Sequence, residues 1–253
     1  MKKNIILKRF ANLLIIIILL GCSRDDSYNN TDPPEIELIN PLQEFSLTIS
    51  EPSAVAYNSV NNSLMIVSDG SPIIYEVGFD GSVISSFTTT CSDLEGITLS
   101  KNCDTIYVTQ EKKKLVTALN LSGNTLYSFL VDVAISDNSA LEGISINKNN
   151  NHLFVINEKD PIMLLEFLGT TEISRILIDK VSDISDVFYE ESSNSIWIIS
   201  DESQKILKYS SSGVFIKEWK IPFTKGEGLT IVGNKMYIVN DSNAKLYVFN
   251  KAS

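Results

Sequence analysis

The chain has 253 residues, with 31 Asp and Glu against 21 Lys and Arg, a formal charge of −10 and a sequence pI near 4.7. That balance excludes dense unaided contact with a phosphate backbone, so no nucleic-acid partner is expected. A 43% hydrophobic and 21% charged composition excludes a disordered chain, and the length allows one large all-β domain or two ordinary ones.

Lys2, Lys3, Lys8 and Arg9 precede an apolar run from Phe10 to Leu20, the length of a signal-peptide core rather than a membrane span. The run stops at Leu19-Leu20-Gly21-Cys22, which resembles the bacterial lipobox; an ordinary signal peptide with a chance cysteine is the alternative. Residues 1–21 are therefore expected to be a lipoprotein signal peptide and Cys22 the lipidated first residue of the mature chain. Without residues 1–21 the charge is −14, because only basic groups are lost. Residues 22–35 carry no periodic apolar pattern and are expected to be a polar tether. Ser-Arg-Asp-Asp after Cys22 resembles acidic surface-export signals of Bacteroidetes lipoproteins. The expectation is an exported bacterial lipoprotein, in the outer membrane or at the cell surface rather than the inner membrane.

From residue 36 to 253 the chain is one repeat counted five times. SAVAY (53–57), EGITL (95–99), EGISI (142–146), SDVFY (185–189) and EGLTI (227–231) start 42, 47, 43 and 42 residues apart. That is the length of a four-stranded propeller blade. A second strand follows each across a polar turn: SLMIV (63–67), TIYVT (105–109), HLFVI (152–156), SIWII (195–199) and KMYIV (235–239). Gly81, Gly123, Gly169 and Gly213 then mark turns between third and fourth strands, where positive φ is needed. The fifth unit lacks that turn, so Ile36–Ile49 is expected to supply its outermost strand, with Pro41 tolerated on an unpaired edge. The predicted fold is all-β, a five-bladed β-propeller of four-stranded blades closed by an N-terminal strand. A β-sandwich also has short strands with frequent turns, but three columns in phase disfavour it.

Two acidic columns emerge from the repeat. Ser53, Glu95, Glu142, Ser185 and Glu227 start the first strands; Asp69, Glu111, Glu158, Asp201 and Asp241 end the second strands, 16, 16, 16, 16 and 14 residues later. In a propeller both positions face one mouth of the central channel. Turn chemistry accounts for some members of the second column. Gly96, Gly143 and Gly228 each follow a Glu, which lets an ion or another group approach the backbone. Converging carboxylates are costly without a cation.

Asp-x-Glu-Gly-Ile at 93–97, Asp-Ile-Ser-Asp-Val at 183–187, Ser-Asp-Glu-Ser at 200–203 and a final Glu-Gly-Leu before Tyr-Ile-Val-Asn-Asp resemble the SdiA-regulated proteins, exported five-bladed propellers distantly similar to NHL-repeat proteins. The resemblance covers about residues 36–253 and implies a bound calcium ion. The last blade reads Asn240-Asp241-Ser242-Asn243 where the family more often has Ser-Glu-Pro-Asn. Calcium takes six to eight oxygens from carboxylates, carbonyls and water. Glu95, Glu142 and Glu227 are the first candidate ligands, then Asp186, one residue later in unit four, and Asp201. Asp69, Glu111, Glu158 and Asp241 are candidates for an outer shell.

Zinc is disfavoured by ligand type, since the single histidine, His152, falls at an inner-hairpin turn on the opposite face. Cys91 and Cys103 bracket an extended strand and are expected to be unbridged. The expected function is a monomeric binding or scaffold propeller, held to the membrane by its lipid and presenting the mouth to a protein or small molecule. The alternative is a calcium-dependent hydrolase of a lactone, phosphoester or similar small substrate.

Overall fold

The computed structural model describes residues 35–133 and 141–253. The signal peptide, Cys22 and all but the last residue of the tether lie outside the described residues. Ile36–Ser253 form one compact unit.

The chain enters through β1 (Gln43–Ser46) and then makes four complete blades. Blade one is β2 (Pro52–Asn58), β3 (Ser63–Ser68), β4 (Ser71–Val77) and β5 (Val83–Thr88). Blade two is β6 (Leu94–Leu99), β7 (Ile106–Gln110), β8 (Leu115–Leu119) and β9 (Thr125–Leu130). Blade three is β10 (Leu141–Asn147), β11 (His152–Asn157), β12 (Met163–Leu168) and β13 (Thr171–Leu177). Blade four is β14 (Asp186–Glu190), β15 (Ser195–Ser200), β16 (Lys205–Ser210) and β17 (Phe215–Lys220). The last blade has β18 (Gly226–Val232), β19 (Lys235–Asn240) and β20 (Lys245–Asn250), with β1 antiparallel to β20 as its fourth strand. Each sheet is an antiparallel meander from the axis outward, and β2, β6, β10, β14 and β18 contact one another in a closed ring.

Burial follows radius. β3 and β15 are buried at every position, whereas β5 is exposed at five of six. A strand packed on both faces has no solvent side for polar residues, so the inner strands read as unbroken apolar runs such as SIWII. The core is five clusters, each joining neighbouring blades. Val116 and Phe129 of blade two meet Leu141 and Phe167 of blade three, and Leu47 and Ile49 fill the seam between the last blade and the first. Phe154 and Tyr189 stack across the seam between blades three and four with ring centres 5.1 Å apart. The turn glycines behave as expected, with φ of 80°, 79°, 62° and 81° at Gly81, Gly123, Gly169 and Gly213.

Ile36–Ile49 closes the ring, but not as one outermost strand. Glu37 and Ile39 exchange backbone hydrogen bonds with Lys220 of blade four, and Leu38 forms a parallel bridge there. Beyond Pro41 the chain pairs with β20, from Leu42 N–H on Val248 O (2.7 Å) to Leu47 N–H on Ala244 O (2.8 Å). Pro41 therefore sits between two pairings, where its missing N–H costs nothing. Cys91 and Cys103 are free thiols buried in one cluster of the first seam.

Candidate functional site

The mouth lies where the first strands begin and the second strands end. Antiparallel pairing of Leu94 with Gln110, Leu141 with Asn157 and Gly226 with Asn240 brings each first-column residue beside its second-column partner. At four of the five first-column positions the register slips. Ser53, Glu95, Glu142 and Glu227 are the extra residues of β-bulges, which re-aim a side chain out of the ladder. They point it into a polar cavity of about 250 Å3. Further along the first strands a second cavity of about 120 Å3 has a mixed lining, with Val55, Ile97, Ile144, Val187 and Leu229 beside Thr98, Ser145, Lys148 and Glu191.

Glu95, Glu142, Glu227 and Asp201 line the polar cavity, as do Asp69, Glu111, Glu158 and Asp241. Asp186 does not. It belongs to the one first strand that pairs without a bulge, and it stands where the neighbouring blades have Gly143 and Gly228. Its Oδ1 accepts the N–H of Val187 (2.8 Å) and its Oδ2 that of Leu229 in the next blade (2.8 Å). Asp186 ties a seam, and its expected place among the metal ligands is corrected accordingly. The glycines have the same explanation. A Cβ on Gly96 would stand 2.7 Å from Glu142 O, one on Gly143 2.6 Å from Asp186 Cα, and one on Gly228 2.7 Å from Ala54 Cα. The group approaching each glycine is the backbone of the following blade.

A third column, two residues before the first, escaped sequence reasoning. Glu51 and Lys225 line the cavity with left-handed backbones (φ 49° and 60°), Asp93 shares that conformation (φ 59°), and Asp183 lines the cavity from the equivalent position of blade four. Asp93 and Asp183 were visible in the motifs, and Lys225 held the same offset. The signal was obscured because one blade carries the opposite charge. Lys225 Nζ lies 3.0 Å from Asp201 Oδ2 and 3.5 Å from Glu227 Oε1, bridging blades four and five. Lys159 Nζ spans Glu158 (3.0 Å) and Glu202 (2.6 Å), and Lys112 Nζ holds Asp93 at 2.6 Å.

The acids of the cavity also act on one another. Burial, then the charges of Asp69, Glu111, Asp93 and Glu227, pushes Glu95 up to about 9. Burial and the Glu95 charge hold Glu142 well above the usual carboxylate range. Glu227 is pushed up by burial to about 7, with Lys225 opposing and Asp201 adding to the rise. Burial also raises Asp69, Glu111 and Glu158. Asp93, Glu95 and Glu111 bring one carboxylate oxygen each within 4.8 Å of the others. Glu95 is 9% exposed and accepts no hydrogen bond from any described residue. His152 is remote from this end, beside the inner-hairpin turn, with Nδ1 2.7 Å from Glu166 Oε1.

A family profile described as SdiA-regulated matches residues 39–224. The chain belongs to the SdiA-regulated family. Curated proteins gave no match. Among solved structures, this SdiA-regulated propeller is similar to virginiamycin B lyase from Staphylococcus aureus, with a TM-score of 0.52 and 15% identity over 82% of this chain and 69% of that one. It is similar also to the β-propeller domain of Cps50 (Swd1) from Myceliophteria thermophila, with a TM-score of 0.50 and 11% identity over 78% of this chain and 65% of that one. The SdiA-regulated chain thus spans about two thirds of the length of these two structures, and what they share is the fold.

Proposed function

We propose that this protein is a lipid-anchored, calcium-binding propeller of the bacterial cell envelope, a monomeric binding or scaffold module whose mouth presents the ion to a protein or small-molecule ligand. The observation that carries the reading is the trio Asp93, Glu95 and Glu111, whose oxygens lie within 4.8 Å of one another around a buried carboxylate with no donor. Carboxylates in an open, water-accessible cavity suit the flexible oxygen shell of calcium. Zinc would want His or Cys, and neither is among the described lining residues. Bound calcium would offset the burial and the repulsion that together raise Glu95, stabilising the fold by about 2.7 kcal/mol when free ion is a hundredfold above its dissociation constant.

Calorimetry with calcium, and melting with and without chelator, test the site. One ion per chain and a chelator-induced drop in Tm that disappears in Glu95→Gln are expected. Absence of binding, with melting indifferent to chelator, removes the metal reading. The anchor is tested by Cys22→Ser, which should move the protein out of the membrane fraction.

A second reading, hydrolysis of a lactone, phosphoester or similar small substrate, rests on Glu227. A carboxyl pushed up to about 7 on a cavity wall exchanges protons near neutral pH, as a general acid or base must. Calcium-dependent turnover of a lactone and phosphoester panel, lost in Glu227→Gln, would establish it; a silent panel leaves the binding module.

A further inference from the structure

The mouth carries more acidic groups than one divalent ion can use, and they are spread around the rim. Among the described residues, Asp93, Glu95 and Glu111 are the one trio of acids whose oxygens come within 4.8 Å of one another. Three lysines already show what the remaining acids accept. Lys159 bridges carboxylates of blades three and four, Lys225 bridges blades four and five, and Lys112 holds Asp93, with Nζ to oxygen distances from 2.6 to 3.5 Å. Six lining carboxylates, Glu51, Asp69, Glu95, Glu111, Glu142 and Asp241, have no such partner among the described residues. All but Glu142 belong to blades one and two or to their neighbour across the closing seam; on that side the exposed Lys112 takes up Asp93 alone, whereas Lys159 and Lys225 bridge the carboxylates of blades three to five. Glu95 is the sharpest case, 9% exposed, on the cavity wall and without a donor.

We propose that the side of blades one and two binds an organic cation with two or more spaced primary ammonium groups, each taking the place between carboxylates that Lys159 and Lys225 take in blades three to five. The chemistry is fixed by the donors. An ammonium brings three N–H groups to acceptor-only carboxylates, and a linear chain distributes charge along a rim as a single metal ion does not. A free polyamine and a lysine-rich peptide both supply it. The inference rests on the reading of the mouth as the binding site, but not on calcium. Because both cations would use Glu95 and Glu111, they compete.

Calorimetry in calcium-free buffer at fixed ionic strength, with spermidine, trilysine and tetramethylammonium as titrants, tests the proposal. One spermidine or one trilysine per chain is expected, with no saturable heat from tetramethylammonium, which lacks N–H. The tighter of the two binders identifies the source as free amine or peptide. Glu95→Gln and, separately, the rim variant Glu111→Gln should each weaken binding about tenfold, while Glu172→Gln on an outer strand changes nothing. Equal heats from tetramethylammonium, no binding of either amine, or unchanged affinity in both mouth variants overturns the proposal. Calcium titrated alone separates the two readings: calcium without amine binding leaves only the metal site standing, and amine without calcium binding leaves only the polycation site.

Discussion

Asp186 Oδ2 accepts the backbone N–H of Leu229 at 2.8 Å across the seam between blades four and five. Both of its oxygens are used in this way, and burial still holds the carboxyl well above its usual range. Removing it orphans two buried N–H groups. Asp186→Ala should therefore cost about 1–3 kcal/mol in denaturant unfolding, with calcium affinity by calorimetry unchanged. A loss of metal binding in a folded Asp186→Ala protein would return the residue to the mouth.

Gly143 and Gly169 separate contact from conformation. A Cβ on Gly143 would meet Asp186 Oδ1 at 2.1 Å and its Cα at 2.6 Å, whereas Gly169 has open space around it and a φ of 62°. Gly143→Ala has to push two blades apart, at about 1–3 kcal/mol or more. Gly169→Ala pays only for its left-handed backbone, about 1 kcal/mol. Thermal melts of the two variants should rank in that order, and equal losses would mean that the seam yields freely.

The mouth makes stability pH-dependent in an unusual direction. The Glu95 carboxyl rises from 4.5 unfolded to about 9 folded, so the folded state binds the proton more tightly. Stability contributed by that proton is present below about 4.5 and is lost as pH rises towards about 9. In chelator, Tm should fall between pH 5 and pH 9, and Glu95→Gln should flatten the slope. Calcium or a bound polycation should flatten it too, because a cation substitutes for the proton.

Glu190 runs the other way. Burial pushes its carboxyl up, but hydrogen bonds from Lys251, Ser193 and Trp197 outweigh burial and hold it down at about 2. Lys251, past the last strand, reaches it at 2.6 Å and fastens the C-terminal end to blade four. This contribution is complete above about 4.5 and is lost as pH falls towards about 2. Glu190→Gln should lower the denaturant midpoint at pH 7 and shrink the loss on acidification to pH 3; identical acid profiles would show that the clasp is idle.

Removing residues 36–50 should do more than expose one edge. It takes away β1, the pairing of Glu37 and Ile39 with Lys220, and Leu47 and Ile49 from the closing seam. Aggregation or a collapse of the melting transition is expected, and a soluble truncated chain melting normally would show that blades four and five hold without the strap.

The repeat made the blades legible. Strands buried on both faces must be apolar throughout, and turns between them need Gly or Asn, so SLMIV and SIWII with Gly81 and Gly213 announce their own places. The two acidic columns were legible because a fixed offset along a repeat becomes a shared position at the axis. Asp186 was misread because its neighbours in sequence resemble those of Glu95 and Glu142, and no local signal tells a bulged strand from a regular one. The Glu-Gly pairs pointed to a close approach but not to what approached.

What the sequence determined by itself is therefore everything periodic: the fold, the blade count, the closing segment and the convergence of charge at one mouth. What only the tertiary structure decided is pairwise and crosses between blades. It set the two-part strap of residues 37–47, the bulges that turn Glu95, Glu142 and Glu227 inward, the burial of Asp186 on Leu229, and the placing of Lys159 and Lys225 between acids of adjacent blades. The physical reason is the range of the forces involved. Hydrophobic periodicity and turn conformation are local to a strand and its turn, whereas packing contacts and ion pairs depend on ångström distances between segments about forty residues apart.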